Sequence, residues 1–276
     1  MKLNPLLLVL FLFFTTFSFT QKKVHLGQAV NIAGKQRMLG QRMAKDKLFI
    51  EVNKKTKFAK KEQAAAMAAF ESGINVLKTF APTREIMHKV EIQEFAYKRY
   101  KDLILNSSRK SLEEVIDCNT VFLSICDDVV TSIIEYSRTK SNIGVSKNQK
   151  YILENIAKAT GASGKLRYLT QRLTLYFSLD AYQVREIRAK EIDRIVRAME
   201  KNLNYLTVLE FNTLEIDDSL SEVLYEWAKL KTSLYKNGTI DLKSGNIDPE
   251  EFFELCNTIL EKANATTQMY ADLNES

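Results

Sequence analysis

Two arginines at matching positions of a repeated motif are the residues of this sequence best suited to chemistry. Residues 34–43 read GKQRMLGQRM and residues 164–173 read GKLRYLTQRL, so six of ten positions are identical at an offset of 130 residues. A guanidinium group presents its donors in a rigid fork that fits planar oxyanions. The motif therefore predicts anion binding by Arg37 and Arg167.

The helical position of Arg37 indicates that its side chain is directed into an interface. On a wheel of 100° per residue, Arg37 falls within the arc of apolar residues that includes Val30 and Ala44, whereas Arg42 and Asp46 fall on the polar face. The second copy repeats this pattern, with Arg167 beside Ile156 and the next arginine on the polar side. We expect one inward and one solvated arginine in each copy.

Neither inward arginine has an acidic residue nearby in sequence, since residues 21–45 and 155–179 contain no Asp or Glu. If the two copies pack about a pseudo-two-fold axis, Arg37 and Arg167 face each other. Two such charges about 6 Å apart repel by roughly 3 kcal/mol at an effective dielectric constant of 20. An anion between them reverses that penalty. The alternatives are a carboxylate from another helix, or a side chain that reaches water.

Two further pairs of residues complete the predicted ligand site. Gly34 and Gly164 lie one turn before the arginines, where a missing side chain leaves room for a ligand or for close helix packing. Gln41 and Gln171 lie one turn after them and are predicted to orient the ligand, although such glutamines often serve only as interfacial hydrogen-bonding groups.

The repeat also predicts the architecture, which is all-α. Cys118-Asn119-Thr120 matches Cys256-Asn257-Thr258 at an offset of 138, and the chain has only nine Gly and three Pro in 276 residues. We predict two tandem antiparallel four-helix-bundle-like repeats, residues 21–143 and 144–276. Apolar spacing predicts long helices near residues 24–55, 58–80, 83–105, 112–139, 147–180, 183–211, 216–236 and 249–272.

The N-terminus predicts export. Residues 1–20 combine an early lysine, a short apolar run and small residues near the end, as in a cleaved signal peptide. The alternative is an uncleaved anchor helix, for which the apolar run is short. The net charge of +6 is interspersed with acidic residues, so no nucleic-acid surface is predicted. We expect a periplasmic or secreted protein.

The segment from Val30 to Met43, VNIAGKQRMLGQRM, resembles the opening helix of the PilJ-type domain, the N-terminal sensor module of type IV pilus chemotaxis transducers. It is also similar to the periplasmic helix of nitrate/nitrite sensor kinases. The resemblance implies an exported helical bundle in which an arginine at the Arg37 position contacts nitrate across a two-fold dimer interface. Through the repeat it implies the same role for Arg167, and Gly34 and Gly164 match the small residue that precedes the arginine.

These observations predict an exported, sensor-type protein that binds a small oxyanion, nitrate or nitrite first, without its own transmembrane signalling module. It would report to a separate envelope signalling protein. Formation of a homodimer is an open alternative. The alternative is a structural or adaptor protein of the cell envelope with no ligand. No catalytic residue, metal or cofactor is predicted, because the two histidines lack partners at metal-binding spacing.

The remaining polar and aromatic features are interpreted as structural. The three cysteines are predicted to be buried thiols, with a Cys118–Cys256 disulfide as the alternative. Asp127 and Asp128 are interpreted as helix surface. Four aromatic residues are predicted to lie in the core, two in the third helix of each half. They are Tyr97 and Tyr100 in the first half and Tyr225 and Trp227 in the second.

Overall fold

A computed structural model describes residues 24–140, 147–237, 239–240 and 247–273. Over these ranges the chain forms eight α-helices and one short hairpin. The helices are α1 (Leu26–Glu51), α2 (Thr56–Phe80), α3 (Arg84–Asn106), α4 (Leu112–Lys140), α5 (Lys147–Ala181), α6 (Ala189–Thr207), α7 (Leu214–Leu234) and α8 (Pro249–Asp272). A 3₁₀ turn, Arg109–Ser111, precedes α4, and the strands Tyr235–Lys236 and Thr239–Ile240 pair antiparallel after α7. The all-α prediction is confirmed.

The eight helices form two four-helix sets with the same pattern of neighbours. In the first set α1 packs on α2 and α4, and α3 packs on α2 and α4; in the second set α5 packs on α6 and α8, and α7 packs on α6 and α8. Short connections make successive helices antiparallel within each set. This equivalence supports the proposed duplication.

Helices α1 and α5 join the two sets and run parallel to each other. A Cβ built on Gly161 would lie 4.0 Å from Val30, and the rings of Phe49 and Tyr182 are 6.2 Å apart near the ends of the same helices. Helix α8 also packs on α1, and α4 packs on α5. Exchanging the two sets therefore preserves the contacts, which is the property of a pseudo-two-fold axis along the α1–α5 pair.

The predicted helix boundaries need three corrections. Helix α6 begins at Ala189 rather than at residue 183, because Gln183 has φ = 54° in the turn after α5. The capping box before α4 is formed by Ser108 and Ser111, not by Ser111 and Glu114. A hairpin follows α7 where a loop was expected. Residues 1–20 and the junction at 141–146 lie outside the described residues.

The predicted start of α8 is confirmed and gives a testable contribution to stability. The Asp248 carboxylate accepts hydrogen bonds from the backbone N–H groups of Glu250 and Glu251, and Pro249 occupies the first turn. We expect Asp248→Ala to lower the free energy of unfolding by about 1 kcal/mol in urea denaturation. Asp248→Ser, which keeps a capping oxygen, should restore most of that loss; equal losses in both variants would contradict the assignment.

The cysteines and aromatic residues largely follow the predictions. All three cysteines are free thiols, Cys126 and Cys256 being buried and Cys118 half-buried. Burial raises the pKa of the Cys126 and Cys256 thiols to about 12. Tyr97, Tyr100 and Trp227 lie in the core, but the prediction for Tyr225 is wrong because this side chain is 63% exposed.

Among the described residues, no helix is both long and apolar enough to cross a membrane.

Candidate anion site

The parallel contact between α1 and α5 is a two-stranded seam with polar layers. Buried residues recur along both helices at alternating spacings of four and three, which is the heptad pattern of a parallel coiled coil. The residues of α1 at these positions are Val30, Gly34, Arg37, Gln41, Ala44 and Leu48. Those of α5 are Thr160, Gly164, Arg167, Gln171, Thr174 and Ser178. The glycine and arginine layers of this seam are in contact across the two helices. The heptad spacing predicts that Gln41 and Gln171 form the next layer.

The two glycines set the distance between the helices. A Cβ on Gly34 would lie 3.9 Å from the Cα of Gly164, and a Cβ on Gly164 would lie 3.8 Å from the Cα of Gly34. The Nη2 atoms of Arg37 and Arg167 lie 3.5 and 3.1 Å from the Cβ position of Gly34. Since helical side chains lean toward the N-terminus, each arginine reaches back to the glycine layer. The structure thus brings the two guanidinium groups together against a backbone without side chains.

Arg37 is neutralised by a carboxylate from another helix, which corrects two predictions. Its side chain is 1% exposed, and Nη1 donates to Oδ1 of Asp127 on α4 at 2.5 Å. Nη2 donates to the carbonyl of Gly161 at 3.1 Å, and the guanidinium lies 5.1 Å from the centre of the Tyr168 ring. The expectation of no acidic counterion is therefore wrong for Arg37, and Asp127 is not simply helix surface.

Arg167 has no carboxylate partner among the described residues. Nη1 donates to Oδ1 of Asn31 at 2.8 Å and Nη2 donates to the carbonyl of Asn31 at 3.1 Å. Burial, together with the charge of Arg37, lowers the pKa of Arg167 to about 9. Amide oxygens supply hydrogen bonds but no negative charge, so the cost of burying this cation is only partly offset. An added anion would therefore stabilise Arg167 more than Arg37.

Several buried polar atoms of the seam arginines and glutamines have no hydrogen-bond partner. The Nε atoms of Arg37 and Arg167 have no hydrogen-bond partner, and neither do the amide nitrogens and oxygens of Gln41 and Gln171. Both glutamine side chains are fully buried. Unpaired buried polar groups cost about 1–3 kcal/mol each, so such a concentration calls for water or a ligand. The described contacts leave these groups available at successive layers of one seam.

The second arginine of each motif lies outside the seam, although neither is fully solvated. Arg42 is 20% exposed and lies 3.3 Å from Glu62. Arg172 donates to the Tyr176 hydroxyl at 2.6 Å and lines a cleft of about 530 Å³ between α4, α5 and α6. The prediction that Asp46 faces solvent is wrong, because this carboxylate is fully buried next to Lys45. Arg42, Lys45, Asp46 and Glu62 form a charged cluster that is separate from the arginine pair, and Arg172 belongs to neither group.

Sequence reasoning missed the residues that hold the guanidinium groups in place, which are Asn31, Asp127, Gly161 and Tyr168. Three of them lie within one or two turns of an arginine of the motif, so the parallel register would have found them. The alignment of the two motif copies at an offset of 130 residues gives that register. Asp127 is distant in sequence, and only the packing of α4 against α1 identifies it.

One family model matches the first part of the chain. Residues 19–95 match the model of the PilJ family, described as the N-terminal region of type IV pili methyl-accepting chemotaxis transducers. Residues 19–95 are PilJ-like. The matched range contains α1 with Arg37, together with α2 and part of α3, and is less than a third of the chain. The resemblance seen in residues 30–43 is thereby confirmed over residues 19–95, whereas the PilJ match does not extend to Arg167. No curated protein and no solved structure matches the chain.

The unequal neutralisation of the two arginines predicts opposite effects on stability. Arg167→Met removes a buried cation that has no carboxylate partner, and Asn31 is only half-buried, so its freed oxygen can reach water. We expect the free energy of unfolding to rise by about 1–2 kcal/mol in a buffer without small oxyanions. Arg37→Met removes a charge-assisted bond to Asp127 and should lower it by about 1 kcal/mol. Urea denaturation measures both; a loss in both variants would contradict the asymmetry.

Proposed function

We propose that the protein is a sensor-type binding protein that holds a small oxyanion, nitrate or nitrite first, within the α1–α5 seam. The anion would lie between the arginine and glutamine layers. It would accept hydrogen bonds from the Nε groups of Arg37 and Arg167 and from the side-chain amides of Gln41 and Gln171. The PilJ match supports the sensor-type assignment, and the buried, unpartnered donors on both helices support the location.

The unpartnered Nε groups are the observation that carries the proposal. Both belong to side chains that are at most 2% exposed, and both sit in the layer where two positive charges meet. Nitrate offers three acceptor oxygens and nitrite two, and each carries one negative charge, which suits donors that converge from two helices. Gly34 and Gly164 would keep the helices close enough for one anion to contact both arginines.

The proposed signal is a small shift of α1 relative to α5. Because the two helices connect the four-helix sets, a ligand that draws the arginine layers together would move both sets. We further propose that the protein is exported to the periplasm or secreted, acts without catalysis and passes the signal to a separate envelope protein. A membrane-anchored transducer partner would supply the transmembrane step.

Calorimetric titration tests this function. Residues 21–276 are titrated with nitrate, nitrite, sulfate and chloride at constant ionic strength, alongside Arg37→Ala, Arg167→Ala and the matched control Arg172→Ala. We expect binding of nitrate or nitrite by the wild type and the control, with at least a 100-fold loss in the two seam variants. A ligand at 100 times its Kd adds roughly 2.7 kcal/mol of stability and so raises the melting temperature. Absence of heat with all four anions, together with a wild-type melting temperature that none of the anions changes, would overturn the proposal.

A second candidate is an envelope adaptor that binds no small molecule. The contact that favours it is the Arg37–Asp127 ion pair, since an internal carboxylate already neutralises one arginine. In this case the arginine layer would serve to fix the register of the two helices, as polar layers do in coiled coils. The same titration separates the candidates: an adaptor gives no anion heat and retains its fold in the wild type.

A further inference from the structure

We infer that Asp127 is a specificity-determining residue that restricts the site to monovalent oxyanions. The inference rests on the proposed function and concerns the charge of the ligand. Asp127 is the carboxylate that contacts the arginine pair in the described structure, at 2.5 Å from Nη1 of Arg37. Its side chain is 44% exposed, so it stands between the buried layer and water.

The charged side chains in direct contact at the arginine layer sum to one positive charge. Arg37 and Arg167 contribute two cations and Asp127 one anion. The nearby Tyr168 hydroxyl and Cys126 thiol stay neutral, because burial raises the pKa of both groups. Burial and then the charge of Arg167 lower the pKa of Lys35, but the Lys35 side chain is exposed, so water screens its charge. A ligand with a single negative charge therefore neutralises the layer, whereas a dianion leaves an excess negative charge in a buried position.

The sequence repeat places no carboxylate at the corresponding position of the second half. At the offset of 138 residues that aligns α4 with α8, Ala265 takes the position of Asp127. Correspondingly, Arg167 is held by Asn31, and no carboxylate of the described chain contacts it. A carboxylate in each half would neutralise both arginines, and no carboxylate would leave the site with a net charge of two. The single Asp127 leaves a net charge of one, which suits nitrate and nitrite better than sulfate.

The test compares nitrate with sulfate binding in the wild type, Asp127→Asn and Asp127→Ala. Asp128→Asn is the matched control, because it removes the neighbouring carboxylate on α4, which is exposed and makes no contact with Arg37. Isothermal titration at fixed ionic strength gives the ratio of the two Kd values. Circular dichroism establishes that each variant is folded.

We expect the wild type and the control to prefer nitrate, and both Asp127 variants to shift the ratio toward sulfate by tenfold or more. One additional unit of charge about 6 Å from the ligand corresponds to roughly 100-fold at an effective dielectric of 20, and the exposure of Asp127 reduces that figure. A wild type that binds nitrate, with the same ratio in both Asp127 variants, would overturn the inference and leave the proposed function standing. No binding of either anion by any of the proteins would overturn both.

Discussion

Replacing Lys45 with methionine is expected to lower the free energy of unfolding by about 3–5 kcal/mol, the usual effect of removing one partner from a buried ion pair. The Lys45 Nζ atom is fully buried, 2.6 Å from Oε2 of Glu62 and 3.3 Å from Oδ1 of Asp46. Without it, two carboxyl groups would remain in the interior with Arg42 as the remaining cation of the cluster. Urea denaturation at neutral pH measures the loss.

The neighbouring carboxyl group provides the control and a dependence on pH. Burial raises the pKa of Asp46 well above its ordinary value of 3.8, the charge of Lys45 opposing this effect. The folded state then holds a proton that the unfolded state releases, so this group's contribution to stability falls as the pH rises above 3.8. Asp46→Asn should abolish that fall and cost little at neutral pH. A loss as large as that of Lys45→Met would show that Asp46 is a required anion.

Introducing leucine at Gly164 is expected to lower the free energy of unfolding by about 3 kcal/mol and to abolish anion binding. A Cβ there would already lie 3.2 Å from Nη2 of Arg167 and 3.3 Å from Nη2 of Arg37, with the Cα of Gly34 at 3.8 Å. A larger side chain has no free volume and must separate α1 from α5. Chemical denaturation and calorimetry measure the two effects.

Two comparisons make the Gly164 result specific to the helix crossing. Gly164→Ala should cost less, because the guanidinium ends can move by a few tenths of an ångström. Ala65→Leu, on the exposed face of α2, should leave both stability and anion binding unchanged. A Gly164→Leu protein with wild-type stability would contradict the close approach of the two helices.

Much of the architecture was predictable from local sequence signals. Apolar spacing predicted all eight helices, and the Asp248-Pro249 pair correctly predicted that α8 begins at Pro249. Local signals were weaker at turns, because the positive φ of Gln183 occurs at a residue type that gives no warning of it. The late start of α6 follows from that turn.

The burial of charged residues was the least predictable feature. The wheel of α1 assigned Asp46 and Arg42 to a solvated face, but α1 contacts α2, α4, α5 and α8, so almost its entire circumference is covered in its second half. A helix in such a central position does not show the usual division into polar and apolar faces. The pairing of Arg37 with Asp127 depends on this same packing, which joins residues 90 positions apart.

The most direct test of the proposed site is nuclear magnetic resonance of the arginine Nε–H and glutamine side-chain amide groups during a nitrate titration. We predict that the signals of Arg37, Arg167, Gln41 and Gln171 shift together and saturate at one nitrate concentration, while those of Arg172 stay unchanged. Signals from the four seam residues that remain unmoved at saturating nitrate would contradict it.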